Sequence, residues 1–209
     1  MIMKKCAIIT TYIEGNLAEL LPDPEEYFVI CADGGYAQAV EAGIKPDLII
    51  GDLDSYKGDI PKDVPIEKLP VEKDDTDTGH SLTYAVNKGY KEIVIVGGIG
   101  GRFDHTVSNM QNVAGVCEKG VQVTLVSDGN EYTAVKNGSI TVKKRAGWKL
   151  SVFSLTEKCE GVSLSGVYYP LEGAVMTNTF PLGTSNEFVD DEAVISVKNG
   201  MLLVVVSRD

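Results

Sequence analysis

Two short acidic segments carry the clearest chemical potential in this chain. Gly51-Asp52-Leu53-Asp54-Ser55 follows an apolar run, and Lys73-Asp74-Asp75-Thr76-Asp77-Thr78 comes further along. In extended chain, Asp52 and Asp54 would project to one side, roughly 6–7 Å apart, close enough to hold one hard cation or a close pair. Magnesium favours a few carboxylates completed by water and phosphate oxygens over a full protein cage, so acids shared between two loops point to phosphoryl chemistry. Asp, Ser and Gly also build turns and cap helices, and an isolated Asp-x-Asp is better read that way. The second cluster, with Asp75, Thr76 and Asp77, turns the balance toward metal.

Two glycine turns suit an anionic ligand. Ala32-Asp33-Gly34-Gly35 closes an expected strand and opens a helix, where Gly34 lets backbone amides approach an anion and Asp33 serves either as a helix cap or as a ligand group. Gly97-Gly98-Ile99-Gly100-Gly101-Arg102-Phe103-Asp104-His105 is more specific: four glycines in five positions expose backbone donors, and Arg102 adds a planar cation suited to phosphate. A helix is expected from near Asp104, which places Asn109 about one turn beyond His105 on the same face. His105 is either a ligand group or a helix-surface histidine, and it ranks below Arg102 and Asp104.

Several machineries are absent from the sequence. No Gly-x-x-x-x-Gly-Lys-Ser/Thr loop occurs, and the Gly98–Arg102 run lacks the last glycine of the dinucleotide fingerprint. There is no Gly-x-Ser-x-Gly elbow, and with His80 and His105 as the only histidines a zinc hydrolase or serine triad has little support.

The elements that must position these loops read as α/β architecture. Strands are expected at Cys6–Thr11, Tyr27–Ala32, Leu48–Ile50, Glu92–Val96 and Val121–Ser127, with helices at Gly35–Ala42, Thr78–Asn87 and Asp104–Glu118. After about Asn130 the texture changes to Thr-, Val- and Ser-rich runs of strand length, and a second, all-β domain is the economical reading. The expected domains are therefore residues 1–130 and 131–209. Asn199-Gly200 sits between two such runs and reads as the turn of a terminal hairpin.

A formal charge of −11 argues against a general nucleic-acid or anionic-membrane binder. Lys143-Lys144-Arg145, the densest basic run, fits a solvated strand end. Cys6, Cys31, Cys117 and Cys159 show no Cys-x-x-Cys spacing and suit reduced core thiols. The apolar stretch near the start is broken by Thr10-Thr11 and Glu14, too short for a span and without a cleavage pattern, so a cytoplasmic location is expected.

Taken in order, Ala32-Asp33-Gly34-Gly35, Pro46–Ser55, Lys73-Asp74-Asp75-Thr76-Asp77, Gly97–His105 and Gly183-Thr184-Ser185-Asn186 resemble the thiamine pyrophosphokinase family through almost the whole chain. The resemblance implies an N-terminal α/β domain holding MgATP, a C-terminal β-sandwich, and a homodimer with thiamine where domains of two subunits meet. It implies transfer of a diphosphate group from ATP to the thiamine hydroxyl, giving thiamine diphosphate and AMP. Asp52, Asp54 and Asp77 are similar to the family's magnesium-binding acids, with Asp75 and Thr76 close to the phosphates. Asp33, Gly98, Arg102, Asp104 and Asn109 resemble its nucleotide and reaction-site positions, and Ser185-Asn186 its thiamine contact. Tyr169 stands where some relatives place a tryptophan, and Tyr168 is the alternative ring. Asp104, metal-bound water or a phosphate oxygen are the alternatives for the proton acceptor. Another phosphoryl transferase or phosphohydrolase, or a non-catalytic nucleotide or thiamine sensor, are the rival functions.

Overall fold

A computed structural model describes residues 5–53, 56, 58, 62–68 and 76–208. The chain divides into two compact units, Met1–Asp128 and Gly129–Asp209.

In the first unit, β1 (Lys5–Ile9), α1 (Leu17–Leu20), β2 (Phe28–Ala32), α2 (Gly35–Glu41), β3 (Leu48–Ile50), β4 (Ile66–Glu67), α3 (Asp77–Asn87), β5 (Glu92–Val96), α4 (Phe103–Cys117) and β6 (Gln122–Ser127) follow in sequence. Its strands lie in the order β6-β5-β1-β2-β3-β4 and every neighbouring pair is parallel. Ile8, Ile30, Ile49, Ile93 and Ile95 are fully buried, which is why these short runs are continuously apolar rather than alternating: a parallel sheet is covered on both faces. Thr76 caps α3 by accepting the Gly79 N–H at 3.1 Å, and Asp77 in the first turn complements the helix dipole. The short α1 and β4 had no signal strong enough to read in the sequence.

The second unit holds β7 (Asn130–Lys136), β8 (Ser139–Lys143), β9 (Lys149–Ser154), β10 (Lys158–Ser165), β11 (Leu171–Thr177), β12 (Gly183–Asn186), β13 (Glu192–Ser196) and β14 (Met201–Ser207). They form the antiparallel orders β12-β9-β14-β7 and β11-β10-β13-β8. Val135, Leu150, Val152, Leu202 and Val204 of the first set share one core cluster with Val162, Leu164, Met176, Ala193 and Ile195 of the second. The terminal hairpin expected around Asn199-Gly200 does not form. β13 pairs with β10 and β8, whereas β14 lies between β7 and β9, so residues 197–200 carry the chain from one sheet to the other. The turn chemistry was legible, but a turn dipeptide does not say which strand receives the chain.

All four cysteines are free, and burial pushes the thiols of Cys6 and Cys31 up to about 12, so both are unreactive at neutral pH. Among the described residues no helix is long and apolar enough to cross a membrane.

Candidate active site

The strand order of the first unit reverses between β1 and β5: the chain runs outward from β1 through β2 and β3 to β4, then returns to the other side of β1. In an open parallel sheet, the loops leaving neighbouring strands part at such a reversal, and the crevice beyond their carboxyl ends receives ligands. A cavity of about 460 Å³ is lined there by Thr10, Thr11 and Tyr12 after β1, Asp33 after β2, and Gly98, Gly100 and Arg102 after β5. Thr76 and Asp77 at the start of α3, with His105 and Asn109 on α4, complete much of its wall.

The glycine loop is fixed by bonds to the protein rather than left open. The N–H of Gly97 donates to the Val126 carbonyl at 2.8 Å, that of Gly98 to the Tyr12 carbonyl at 2.8 Å, and that of Gly100 to Thr106 Oγ1 at 3.1 Å. Asn109 is 5% exposed and donates from Nδ2 to the Gly98 carbonyl at 2.9 Å. Its position on the cavity wall is thus that of a loop anchor. The expectation that the glycines themselves supply the donors needs revision: three of their four N–H groups are spent internally, and among the described residues Ile99, Gly101 and Arg102 are the loop's amides without such a bond.

Arg102 and Asp104 form an exposed two-point pair, Nε to Oδ1 at 3.1 Å and Nη2 to Oδ2 at 2.5 Å. The Arg102 guanidinium holds the Asp104 carboxyl below its ordinary range, and Asp104 in turn raises Arg102. Arg102 lines the cavity and Asp104 does not. His105 is exposed on its wall.

The acidic residues meet at Asp33. This residue has a left-handed backbone (φ 46°), and its N–H donates to the Ile50 carbonyl at 2.8 Å, tying the end of β2 to that of β3. Gly51 is required beside it: its φ is 145°, and a methyl group there would stand 2.9 Å from the Asp33 Cα. Burial raises the Asp33 carboxyl above its ordinary value, the charges of Asp77 and Asp52 raise it further, and the backbone amides of Gly34 and Leu53 offset part of the effect. Its Oδ1 is buried without a hydrogen-bond partner among the described residues. The charges of Asp77 and Asp52 thus act on an Asp33 carboxyl that lies on the cavity wall and has one unsatisfied oxygen. Hard-oxygen donors of this kind fit a divalent cation such as magnesium. Among the described residues no group of three His, Cys, Asp or Glu side chains stands ready to hold a metal ion. Asp54 and Asp75, both expected here, lie outside the described residues.

A side-chain contact links the segments that carry Asp52 and Asp77. His80, on the first turn of α3 after Asp77, meets Glu67 at 3.3 Å, and the Glu67 carbonyl accepts the Gly51 N–H at 3.2 Å.

In the second unit, Tyr169 and Asn186 line a hollow of about 210 Å³ with Leu164, Leu171, Leu182 and Thr184. Asn186 is buried, and its Oδ1 accepts the N–H groups of Tyr169 and Glu187 at 2.9 and 3.0 Å while Nδ2 donates to the Tyr169 carbonyl at 2.8 Å. Ser185 is exposed, with φ 57° and its N–H on Ser151 Oγ, at a register shift between β12 and β9. It is not part of the hollow's wall, and neither is Tyr168, whose ring stands edge-on to Tyr169 with centroids 4.8 Å apart.

Thr10, Thr11 and Tyr12 escaped sequence reasoning. They are ordinary strand formers and belong to the cavity only because β1 lies at the reversal. The one available signal was their place directly after the first buried strand.

Known proteins resemble this chain in sequence and fold. The family model described as thiamin pyrophosphokinase, catalytic domain, matches residues 24–125, and that described as thiamin pyrophosphokinase, vitamin B1 binding domain, matches residues 137–202. The thiamine pyrophosphokinase of Bacillus subtilis is 28% identical over 208 residues, covering 94% of this chain and 97% of its own. Crystal structures of the thiamine pyrophosphokinases of Bacillus subtilis and Geobacillus thermodenitrificans each superpose with a TM-score of 0.85 at 25% identity, over 98% of this chain and 99% and 98% of theirs. With both domain models matched in order, and relatives aligned over nearly their full length, the chain belongs to the thiamin pyrophosphokinase family.

Proposed function

We propose that this chain transfers the diphosphate group of ATP to the primary hydroxyl of thiamine, forming thiamine diphosphate and AMP. The observation that carries the reading is the cavity at the β1/β5 reversal, where a braced glycine loop, Arg102 and the Asp33–Asp77 carboxylates meet, in a chain matched to both thiamin pyrophosphokinase domains. Attack at the β-phosphorus asks the protein for alignment and charge neutralisation more than for covalent help. Gly98–Arg102 and the Asp33-Gly34 turn hold the polyphosphate, Arg102 offsets its charge, Thr76 lies near it, and Asp75 has a role at the phosphates only as the family resemblance implies. Asp52, Asp54 and Asp77 would hold magnesium, which when bound supplies charge neutralisation at phosphate oxygens.

Asp104 is a weak candidate for proton acceptor, because Arg102 keeps its carboxyl below the ordinary range. Release to metal-bound water or to a phosphate oxygen is the alternative. In this reading residues 1–130 form the MgATP domain, and residues 131–209 a β-sandwich that takes thiamine on Tyr169, Ser185 and Asn186. A homodimer is part of the reading, supported by the apolar surface that Tyr168, Tyr169, Phe180 and Leu182 expose. A cytoplasmic enzyme without nucleic-acid or membrane partners is consistent with the charge of −11.

The test is an AMP assay with and without thiamine. AMP formed only with thiamine and divalent metal supports the reading. ATP hydrolysis indifferent to thiamine favours a phosphohydrolase, and ligand-induced thermal shifts without turnover favour a sensor.

A further inference from the structure

The ring of Tyr12 lies against the glycine loop. A methyl group built on Gly100 would stand 3.1 Å from Tyr12 Cε1, and one on Gly101 would stand 3.2 Å from both Cδ2 and Cε2. The two side-chain positions thus approach opposite edges of the ring, which places the Gly100–Gly101 segment against its face. Both glycines have left-handed backbones, with φ 87° and 58°, a conformation that costs other residues energy and that a packed surface must sustain. The backbone of Tyr12 is fixed as well, since its carbonyl accepts the Gly98 N–H at 2.8 Å and the Thr10 hydroxyl at 3.1 Å. Yet the residue is 46% exposed and lines the cavity, so its ring is more than core filling.

We propose that Tyr12 is a positioning residue for the nucleotide: its ring face is the floor that holds Gly100–Gly101 so that the Gly101 and Arg102 amides face the polyphosphate. This rests on the reading of the cavity as the MgATP site. Asn109 and Thr106 hold the same loop from the α4 side, through Gly98 and Gly100. Without the ring, Gly100–Gly101 would keep Glu14 Oε2 beside Gly100 and the backbone bond to Gly98, but would lose the surface on which both residues rest. The ring carbons stand nearer the Gly100 and Gly101 side-chain positions, at 3.1–3.3 Å, than the hydroxyl does, at 3.4 Å from Gly100 alone, so the face does this rather than the hydroxyl. Phenylalanine therefore serves in its place, whereas leucine, of similar bulk but not flat, does not.

The experiment compares Tyr12→Phe, Tyr12→Leu and Tyr12→Ala by steady-state kinetics with each substrate varied, and by calorimetric binding of magnesium AMP-PNP. Leucine and alanine should lower kcat/KM for MgATP by about tenfold or more, the scale expected of a misplaced binding loop. The KM for thiamine should stay within about twofold, since its binding is not what the loop arranges. Phenylalanine should restore parental values. Leucine behaving as the parent, or phenylalanine failing as alanine does, overturns the proposal. Should alanine not fold, the phenylalanine–leucine contrast decides alone. Calorimetry separates the role of Tyr12 from the transferase activity: a parent that binds magnesium AMP-PNP but makes no thiamine diphosphate would sink the transferase assignment, while the order of the variants' affinities still decides on Tyr12.

Discussion

The side-chain amide of Asn186 clasps the backbone of Tyr169, with Oδ1 taking its N–H at 2.9 Å and Nδ2 giving to its carbonyl at 2.8 Å. Oδ1 also accepts from Glu187, so this oxygen is saturated and only one N–H of the amide remains for a ligand. On the proposed thiamine reading, Asn186 would act chiefly by fixing the backbone that carries the Tyr169 ring. Tyr169→Ala should raise the KM for thiamine by about two- to thirty-fold, the value of a lost cation–π contact of roughly 0.5–2 kcal/mol, with the KM for MgATP unchanged. Asn186→Ala should show the same kinetic defect plus a stability loss of about 1–3 kcal/mol from the unpaired Tyr169 backbone. Steady-state kinetics and urea titration check the pair. A kinetic defect in Asn186→Ala without one in Tyr169→Ala would return the contact to the amide.

Asp77→Asn retains the shape of the first turn of α3 but removes a charge from the acidic group. Turnover should fall at least about 100-fold while unfolding shifts by about 1 kcal/mol or less, the size of a helix-dipole contribution. Chelation of divalent metal should abolish turnover in the parent. Metal titration of both proteins is the check, and a folded variant with parental metal dependence would remove Asp77 from the site.

Asp33 yields a pH signature. Its carboxyl is raised in the fold by burial and by Asp77 and Asp52, so above the ordinary value of 3.8 the folded protein keeps a proton that the unfolded chain has released. Its contribution to stability is therefore largest in acid and declines as pH rises through the raised value. Metal-free Asp33→Asn should gain in melting temperature relative to the parent between strongly acid and neutral pH, and lose activity. A constant difference across that range would contradict the electrostatic account.

Gly51→Ala should cost about 1–3 kcal/mol, because φ is 145° and the Asp33 Cα stands 2.9 Å from the new methyl group. The strain falls on the contact between the Asp33 turn and the Asp52 loop, so activity should fall further than stability alone explains. Gly43→Ala, left-handed at 70° but with open space at its side-chain position, provides the comparison for backbone strain without the clash.

Much of the first unit was legible because its signals are local. Leu48–Ile50 and Glu92–Val96 are apolar enough to announce covered parallel strands, and Asp33, Gly98, Arg102, His105, Asn109, Thr76 and Asp77 from the sequence reading all line one cavity. The misses are non-local. Tyr12 depends on which strand lies next to β5, the spent glycine N–H groups depend on acceptors in the loop after β1, on β6 and on α4, and β12 carries Gly-Thr-Ser-Asn with no apolar alternation to mark it. Asn186 was legible as a polar residue in a matching motif, but its bonds to Tyr169 required the fold.

The most direct measurement follows ATP labelled at the β-phosphorus in the presence of thiamine and magnesium. The account predicts that the label appears in thiamine diphosphate with one AMP formed per product, and that neither forms without thiamine. Label retained in ADP with thiamine monophosphate as product, or inorganic phosphate released at the same rate with or without thiamine, would contradict it.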